Sequence, residues 1–239
     1  MLRLEPLESG PGRLGLEMTA RVTRALRGAL LHHAAEPIPE FLSGHEADGS
    51  PSRETHLAWV PLADVGHRHA DGHLLGVAAV LPQGLTREQR RLCLVAVGSM
   101  DELRLGRLGR WRLAPEVQET PPKALRPESW TTASSQWASV TPVVFDRFTD
   151  DLIEKREVIA TSCERVGLPR PMSVILTRVS AHIGVPHAAD FPLMATAEDA
   201  PRRPHIHVIL SFGTDVEGPV ILGAGRYRGY GLLRPHRGG

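Results

Sequence analysis

A proline-rich polar stretch at residues 116–128 divides this 239-residue sequence into two parts, and it constrains the fold more than any other feature. Each part interleaves short apolar runs, typical of strands, with amphipathic patterns typical of helices. Interleaving of this kind favours an α+β protein. The 41% hydrophobic content supports a packed core and excludes a fully disordered chain.

In the first part, the spacing of Leu16, Val22, Leu26 and Leu30 predicts an amphipathic helix over residues 16–33. Two prolines that follow this segment are expected to end it. The remaining predicted elements are strands over residues 56–62 and 72–81, a helix over 86–100 and a hairpin over 103–113.

The second part repeats this arrangement of elements without a detectable sequence repeat. It is predicted to hold strands over residues 137–145, 171–179, 205–212 and 220–222 and a helix over 150–166. We therefore expect two ferredoxin-like units, residues 1–115 and 125–239, with a basic cleft between them. The second unit is expected to have lost or shortened a helix.

Several classes of protein are excluded by composition. The two cysteines, Cys93 and Cys163, cannot form a cysteine-based zinc site and do not indicate a disulfide framework. The N-terminus lacks the profile of a signal peptide, and no apolar run is long enough to cross a bilayer. A soluble cytoplasmic protein without a membrane partner is expected. The sequence has 28 Lys+Arg and 27 Asp+Glu, so the net charge neither favours nor excludes nucleic-acid binding. The location of the charges decides that question.

The motif G-A-G-R-Y-R-G-Y-G near the C-terminus combines glycine, arginine and tyrosine at residues 223–231. Glycine permits close backbone approach and exposed amides, arginine grips phosphates, and tyrosine stacks on bases. The motif therefore predicts an RNA-binding loop formed by Gly223, Gly225, Arg226, Tyr227, Arg228, Gly229, Tyr230 and Gly231. The alternative is a glycine-rich turn that joins two strands beside a solvated basic tail.

Residues 218–232, which contain this motif, resemble the C-terminal glycine-rich loop of the RAMP-superfamily endoribonucleases that mature CRISPR RNA. They are most similar to the nuclease half of the fused backbone–nuclease subunit of type I-G (formerly I-U) effectors. Members of that subfamily usually carry a preceding backbone-type domain, whereas this sequence starts close to its first predicted helix. Further stretches resemble the same subfamily, in the expected order: residues 41–51 with 56–62, residues 69–78 and residues 137–146.

The resemblance implies tandem ferredoxin-like folds that bind a CRISPR repeat RNA and cut it without metal or cofactor. The expected products carry a 2′,3′-cyclic phosphate and a 5′-hydroxyl. It also implies that other subunits of a type I CRISPR effector complex are partners. A non-catalytic subunit that binds the same RNA remains the alternative.

Cleavage of this kind needs a general base, and histidine is the usual choice among the 12 histidines present. The family commonly places its base close to His45, which lies in a polar loop after the first helix, and Asp48 could orient it. The alternative is that His45 and Asp48 only build a turn. His56 opens the next strand and is the second candidate catalytic residue. His32 and His33 are expected to cap the helix end instead.

Two other histidine groups suggest different chemistry. His67, His69, Asp71 and His73 nearly match a metallohydrolase signature, but one extra residue precedes the last histidine, so capping or phosphate contact is favoured over metal. His205 and His207 alternate along a strand and could jointly face RNA or solvent. This H-x-H pair resembles two-histidine phosphoesterases, but the expected Thr or Ser two residues after each histidine is missing.

Trp59, Trp130 and Trp137 lie in apolar strand contexts. They are expected to be core anchors rather than platforms for stacking bases.

Overall fold

The computed structural model describes residues 1–7, 12–194 and 202–236. Its N-terminal part contains the strands β1 (Leu2–Pro6), β2 (Ala58–Ala63), β3 (Leu74–Val80), β4 (Glu102–Arg104) and β5 (Arg110–Pro115). These strands form one antiparallel sheet in the order β2-β3-β1-β5-β4. The order β5-β1-β3-β2 is that of a ferredoxin-like unit, to which β4 is added at the edge.

Three helices accompany this sheet, namely α1 (Thr19–His33), α2 (Glu40–Ser43) and α3 (Arg87–Gly98). The predicted apolar stripe of α1 is confirmed, because Val22, Leu26 and Leu30 are each at most 1% exposed. The helix α3 begins with a capping box, in which Thr86 and Gln89 each satisfy the other's backbone amide.

The C-terminal part contains β6 (Ser134–Ser139), β7 (Val143–Val144), β8 (Ser173–Thr177), β9 (His205–Val216), β10 (Val220–Ile221) and β11 (Leu232–Pro235). The sheet runs β10-β11-β6-β9-β7, and β8 also pairs with β9. Its helices are α4 (Glu128–Thr131) and α5 (Leu152–Arg165). Within the described residues, α5 is the one helix of this part longer than a single turn, as expected for a unit that has lost a helix.

The two parts share a hydrophobic core. Trp130, Phe191 and Tyr230 of the second part belong to the same buried cluster as Trp59 and Leu26 of the first. A backbone hydrogen bond of 2.8 Å from Gly66 N to Ile183 O adds to this junction. The tandem ferredoxin-like α+β architecture predicted from the sequence is confirmed, with the two units packed directly against each other.

Some predicted elements need correction. The strands β1 and β11 were not predicted, although β1 lies at the centre of its sheet and β11 pairs with β6. The stretch 116–128 is not a purely solvated linker, because Ala124 and Leu125 are buried in the core.

The prediction that the three tryptophans are core anchors is confirmed. Trp59, Trp130 and Trp137 are all at most 3% exposed, although Trp130 lies in α4 and not in a strand. Both cysteines are free and buried. No helix among the described residues is long and apolar enough to cross a bilayer.

Candidate nucleic-acid interface

The glycine-rich motif connects β10 to β11, and its centre is a 3-10 turn at Arg226–Arg228 that packs against α1. Thr23 in α1 donates a 2.9 Å hydrogen bond to the carbonyl oxygen of Arg228. Gly229 has φ +81°, and a Cβ there would lie 2.4 Å from Thr19 Cγ2. Only glycine fits this position without strain. The absence of a side chain at Gly229 therefore allows the turn to pack closely against α1.

The loop's backbone amides are largely used within the protein. Those of Gly223, Ala224, Arg226, Arg228, Tyr230 and Gly231 each donate to a protein acceptor. The expectation that the loop amides form an open nest for phosphate is therefore wrong for these six. The positive charge of this loop is carried by the side chains of Arg226 and Arg228.

The two tyrosines of the motif have opposite environments. Tyr230 is fully buried, and its hydroxyl donates a 2.6 Å hydrogen bond to the carbonyl oxygen of Pro192. Burial raises the pKa of Tyr230 above its usual range. Its predicted stacking on RNA does not fit this position, whereas Tyr227 is half-buried at the surface.

His45 lies beside α1, in the loop that follows α2. Its side chain is exposed, and its Nδ1 lies 3.1 Å from Arg27 Nη2 and 3.0 Å from the carbonyl oxygen of Ser43. Ser43 Oγ also accepts a hydrogen bond from the His45 amide. These contacts hold the imidazole at the protein surface.

Asp48 does not orient His45. Its Oδ1 accepts a 2.8 Å hydrogen bond from the Ser50 amide, which closes a local turn. Hydrogen bonding by the Ser50 side chain, and then by its amide, lowers the Asp48 pKa. The turn-building alternative therefore describes Asp48, and Arg27 supplies the contact to the imidazole instead.

His56 packs between Gly44 and the glycine-rich motif. Its ring stacks on Tyr227 with centroids 3.6 Å apart, and Arg226 lies 4.5 Å from the centroid of the same tyrosine. Gly44 has φ +66°, and a Cβ there would lie 2.6 Å from His56 Nε2. Burial lowers the His56 pKa, and the nearby charges of Arg27 and Arg226 lower it further.

The structure thus brings predicted residues from the two ends of the chain to one place. His45 and His56 lie close to Arg226 and Tyr227. The pKa of Arg27 is lowered by burial and, to a smaller extent, by the nearby charge of Arg228. Sequence alone gave no signal for this convergence, because the partners are almost two hundred residues apart.

An open groove of about 1330 Å³ begins at Tyr227 and Arg228 and runs along α1. All the charged side chains of the described residues that line it are arginines, namely Arg21, Arg24, Arg27, Arg104, Arg107 and Arg228. One of them, Arg104, is paired with Glu102. The α1 arginines were not singled out from the sequence, although their three-residue spacing places them on one helix face.

The later histidines do not face RNA jointly. His207 is 0% exposed, and its Nδ1 lies 2.9 Å from Ser139 Oγ, which accepts from the Val208 amide. The hydroxyl proton therefore points to Nδ1, and Nε2–H donates to the carbonyl oxygen of Pro186. Burial lowers the His207 pKa to about 4, so this histidine is a neutral core residue.

The cluster around Asp71 is satisfied by protein contacts. Asp71 is shared by Arg13 and His73, and His67 Nε2 lies 2.7 Å from Asp64 Oδ1. Asp64, Asp71 and His73 offer three ligand atoms within 4.8 Å of one another. Because the arginine already neutralises Asp71, this arrangement fits the predicted role in holding the strand end better than a metal site.

Structural comparison relates the fold to CRISPR-associated proteins. A solved structure described as a CRISPR-associated protein Cas6 has a TM-score of 0.52 and 9% identity, and covers 99% of this chain and 98% of its own. A RAMP protein that binds different RNA substrates has a TM-score of 0.48 and 13% identity, over 99% of this chain and 98% of its own.

Comparison by sequence gives a family. No curated protein matches the chain. A family model, however, matches residues 12–235 and therefore includes α1, the glycine-rich motif and every strand named above except β1. The chain belongs to the CRISPR-associated protein, GSU0054 family.

Proposed function

We propose that this protein is a metal-independent endoribonuclease that binds CRISPR repeat RNA and cuts it to produce mature guide RNA. One observation carries the proposal: an exposed imidazole, His45, lies beside a cluster of arginines that includes the surface arginines of the glycine-rich motif. A base next to concentrated positive charge is the combination that phosphodiester transfer requires.

In the proposed reaction, His45 Nε2 takes the proton of a ribose 2′-hydroxyl. The 2′-oxygen then bonds to the adjacent phosphorus while the bond from phosphorus to the 5′-oxygen breaks. The departing 5′-oxygen takes a proton from water, and the resulting hydroxide accepts the proton held by His45. The products are a 2′,3′-cyclic phosphate and a 5′-hydroxyl.

Arginines supply the charge stabilisation in this mechanism. Arg27 contacts His45, Arg228 lies close to Arg27, and Arg226 lies close to His56. We propose that these three guanidinium groups donate to the negative oxygens of the phosphorane. Arginine is the residue that carries a permanent positive charge in proteins. We propose that these arginines perform the electrostatic role that a metal ion has in other nucleases.

His56 is proposed to support the site rather than to supply the proton for the leaving group. Its lowered pKa favours the neutral ring at neutral pH, and its Nε2 edge packs on Gly44. A neutral ring in that place can hold Tyr227 and Arg226 in position. Tyr227 and Arg226 would then contact the bases and phosphates next to the cut.

The arginine groove is the proposed path of the RNA strand leaving the cleavage position. Arg21, Arg24 and Arg27 follow one another at about 4.5 Å intervals along α1, since a helix rises about 1.5 Å per residue. Such a row can contact successive phosphates of one strand.

The identity of the substrate rests on the family. Membership of a CRISPR-associated family supports repeat RNA as the substrate and other CRISPR effector subunits as partners. The resemblance to the nuclease half of the type I-G fused subunit supports a type I effector as the assembly.

The test is incubation of labelled repeat RNA with the wild-type protein in excess chelator, followed by analysis of the product ends. We expect one cut, a 2′,3′-cyclic phosphate and a 5′-hydroxyl. Cleavage that stops in chelator and returns with zinc or manganese would contradict the metal-independent mechanism. Tight binding without any cleavage would instead support a non-catalytic RNA-binding subunit.

A further inference from the structure

The contacts of His45 Nδ1 contain a conflict that bears on catalysis. Arg27 Nη2 lies 3.1 Å from this nitrogen and the carbonyl oxygen of Ser43 lies 3.0 Å from it. A guanidinium nitrogen can only donate a hydrogen bond, and a carbonyl oxygen can only accept one. In a neutral imidazole, Nδ1 can therefore bond to one of these partners at a time.

The two choices give different tautomers. When Nδ1 accepts from Arg27, the ring proton must lie on Nε2, and Nε2 has no lone pair available for a proton. When Nδ1–H donates to Ser43 O, Nε2 carries the lone pair. Only the second tautomer can act as a general base at Nε2.

Of these two bonds, the one to Arg27 has a charged donor and is therefore the stronger. Arg27 is also half-buried, which reduces competition from water. Its charge lies close to that of Arg228. A phosphate is a better partner for a cation in such a basic cluster than a neutral ring nitrogen is.

We propose that Arg27 is a positioning residue that holds His45 in the inactive tautomer until an RNA phosphate takes the guanidinium away. His45 then turns its Nδ1 proton to Ser43 O and presents a lone pair at Nε2. This inference rests on the proposed function of His45 as the base. It makes the base available only when a phosphodiester is bound beside it.

The tautomer is measured directly by 15N NMR of the histidine ring, because protonated and unprotonated ring nitrogens give separate shifts. Spectra are recorded at about pH 8.5, about two units above the ordinary histidine pKa. The His45→Gln variant identifies the signal. The RNA probe is the repeat with 2′-fluoro riboses, which cannot undergo 2′-hydroxyl attack.

Free wild-type protein should show the proton on Nε2, and adding the 2′-fluoro RNA should move it to Nδ1. Arg27→Met, which keeps the stem length and removes the donor, should show the Nδ1 proton without RNA. Arg90→Met removes an exposed arginine of α3, outside the groove, and should behave like wild type. Arg27→Lys, which keeps a cationic donor, should stay closer to wild type than Arg27→Met.

The same tautomer in free wild type and in Arg27→Met would overturn the inference, as would a proton that stays on Nε2 in the RNA complex. These outcomes are independent of cleavage. If the tautomer changes as expected but wild type does not cut unmodified repeat in chelator, the proposed nuclease function fails and the role of Arg27 stands. If wild type cuts the repeat but the tautomer does not change, the proposed nuclease function stands and the role of Arg27 fails.

Discussion

His45 and His207 show how the same side chain acquires opposite roles in one protein. His45 is exposed and contacts the guanidinium of Arg27, whereas His207 is fully buried and bonded to Ser139 and Pro186. The first is accessible from solvent, and the second is held neutral by its surroundings. Burial and partners, which sequence does not display, separate an accessible histidine from a structural one.

The largest expected effect concerns the buried histidines. Burial lowers the pKa of both His182 and His207 to about 4, while an unfolded chain binds the proton near the ordinary value of about 6.5. Their contribution to stability is therefore complete above about pH 6.5 and is lost as the pH falls towards 4. The expected loss is about 3 kcal/mol for each histidine, measured as the urea unfolding free energy against pH.

His207→Gln should flatten this pH dependence, and His33→Gln, which removes an exposed histidine at the end of α1, should not. Hydrogen bonds from His73 lower the pKa of Asp71 to about 2, and hydrogen bonds from Arg110 and Arg104 lower that of Glu102 to about 2. The stability that these carboxylates contribute is therefore lost only at lower pH, as the pH falls below their ordinary pKa values of about 4. An unchanged slope between pH 6.5 and 4 in His207→Gln would contradict the view of His207 as a core residue.

The second prediction concerns the packing of the glycine-rich motif against α1. Gly229→Ala places a Cβ against Thr19 and forces alanine into a left-handed conformation. We expect a loss of about 2–5 kcal/mol in unfolding free energy from strain and overpacking, together with weaker RNA binding. Gly98→Ala, whose added Cβ meets no atom within 4 Å, is the matched control, and equal stability of the two variants would argue against the packing described for Gly229.

The third prediction separates the two tyrosines. Tyr227→Ala removes the ring that stacks on His56 and should weaken repeat RNA binding by about 1–3 kcal/mol, with thermal stability nearly unchanged. Tyr227→Phe keeps the ring and should bind like wild type, as determined by fluorescence anisotropy. Weakened binding in Tyr227→Phe as well would show that the hydroxyl, and not stacking, makes the contact.

The smallest effect is expected in the groove. Arg24→Ala removes one exposed cation and should lower the salt dependence of RNA affinity by about 0.7 in the slope of log affinity against log salt. Arg90→Ala, on the exposed surface of α3, should leave the slope unchanged. Equal slopes for all three proteins would remove Arg24 from the RNA path.

Local sequence patterns predicted much of the fold. The stripe of α1, the helices α3 and α5 and the burial of Trp59 follow from periodicity and residue type. The central strand β1 was missed because it is short and ends at Pro6, although Leu2 and Leu4 alternate with Arg3 and Glu5 as an inward–outward pattern. An alternating pattern over only five residues is too short to predict a strand on its own.

The sequence predicted several residues of the candidate site but not the contacts between them. Glycine, arginine and tyrosine chemistry indicated the loop, but the sequence could not show that Tyr230 points into the core while Tyr227 meets His56. The contact from Arg27 to His45 depends on tertiary packing between α1 and the loop after α2. An arginine row in a helix without acidic residues was the available signal for this side of the site.

The proposed mechanism is tested most directly by the single-turnover cleavage rate of His45→Ala on repeat RNA in chelator, with His33→Ala as a control. Removing a general base should slow cleavage by about 10²–10⁴-fold, with RNA affinity and thermal stability close to wild type because His45 is exposed. Cleavage by His45→Ala at the wild-type rate would contradict the assignment of the chemistry to this surface histidine and not to one of the buried histidines.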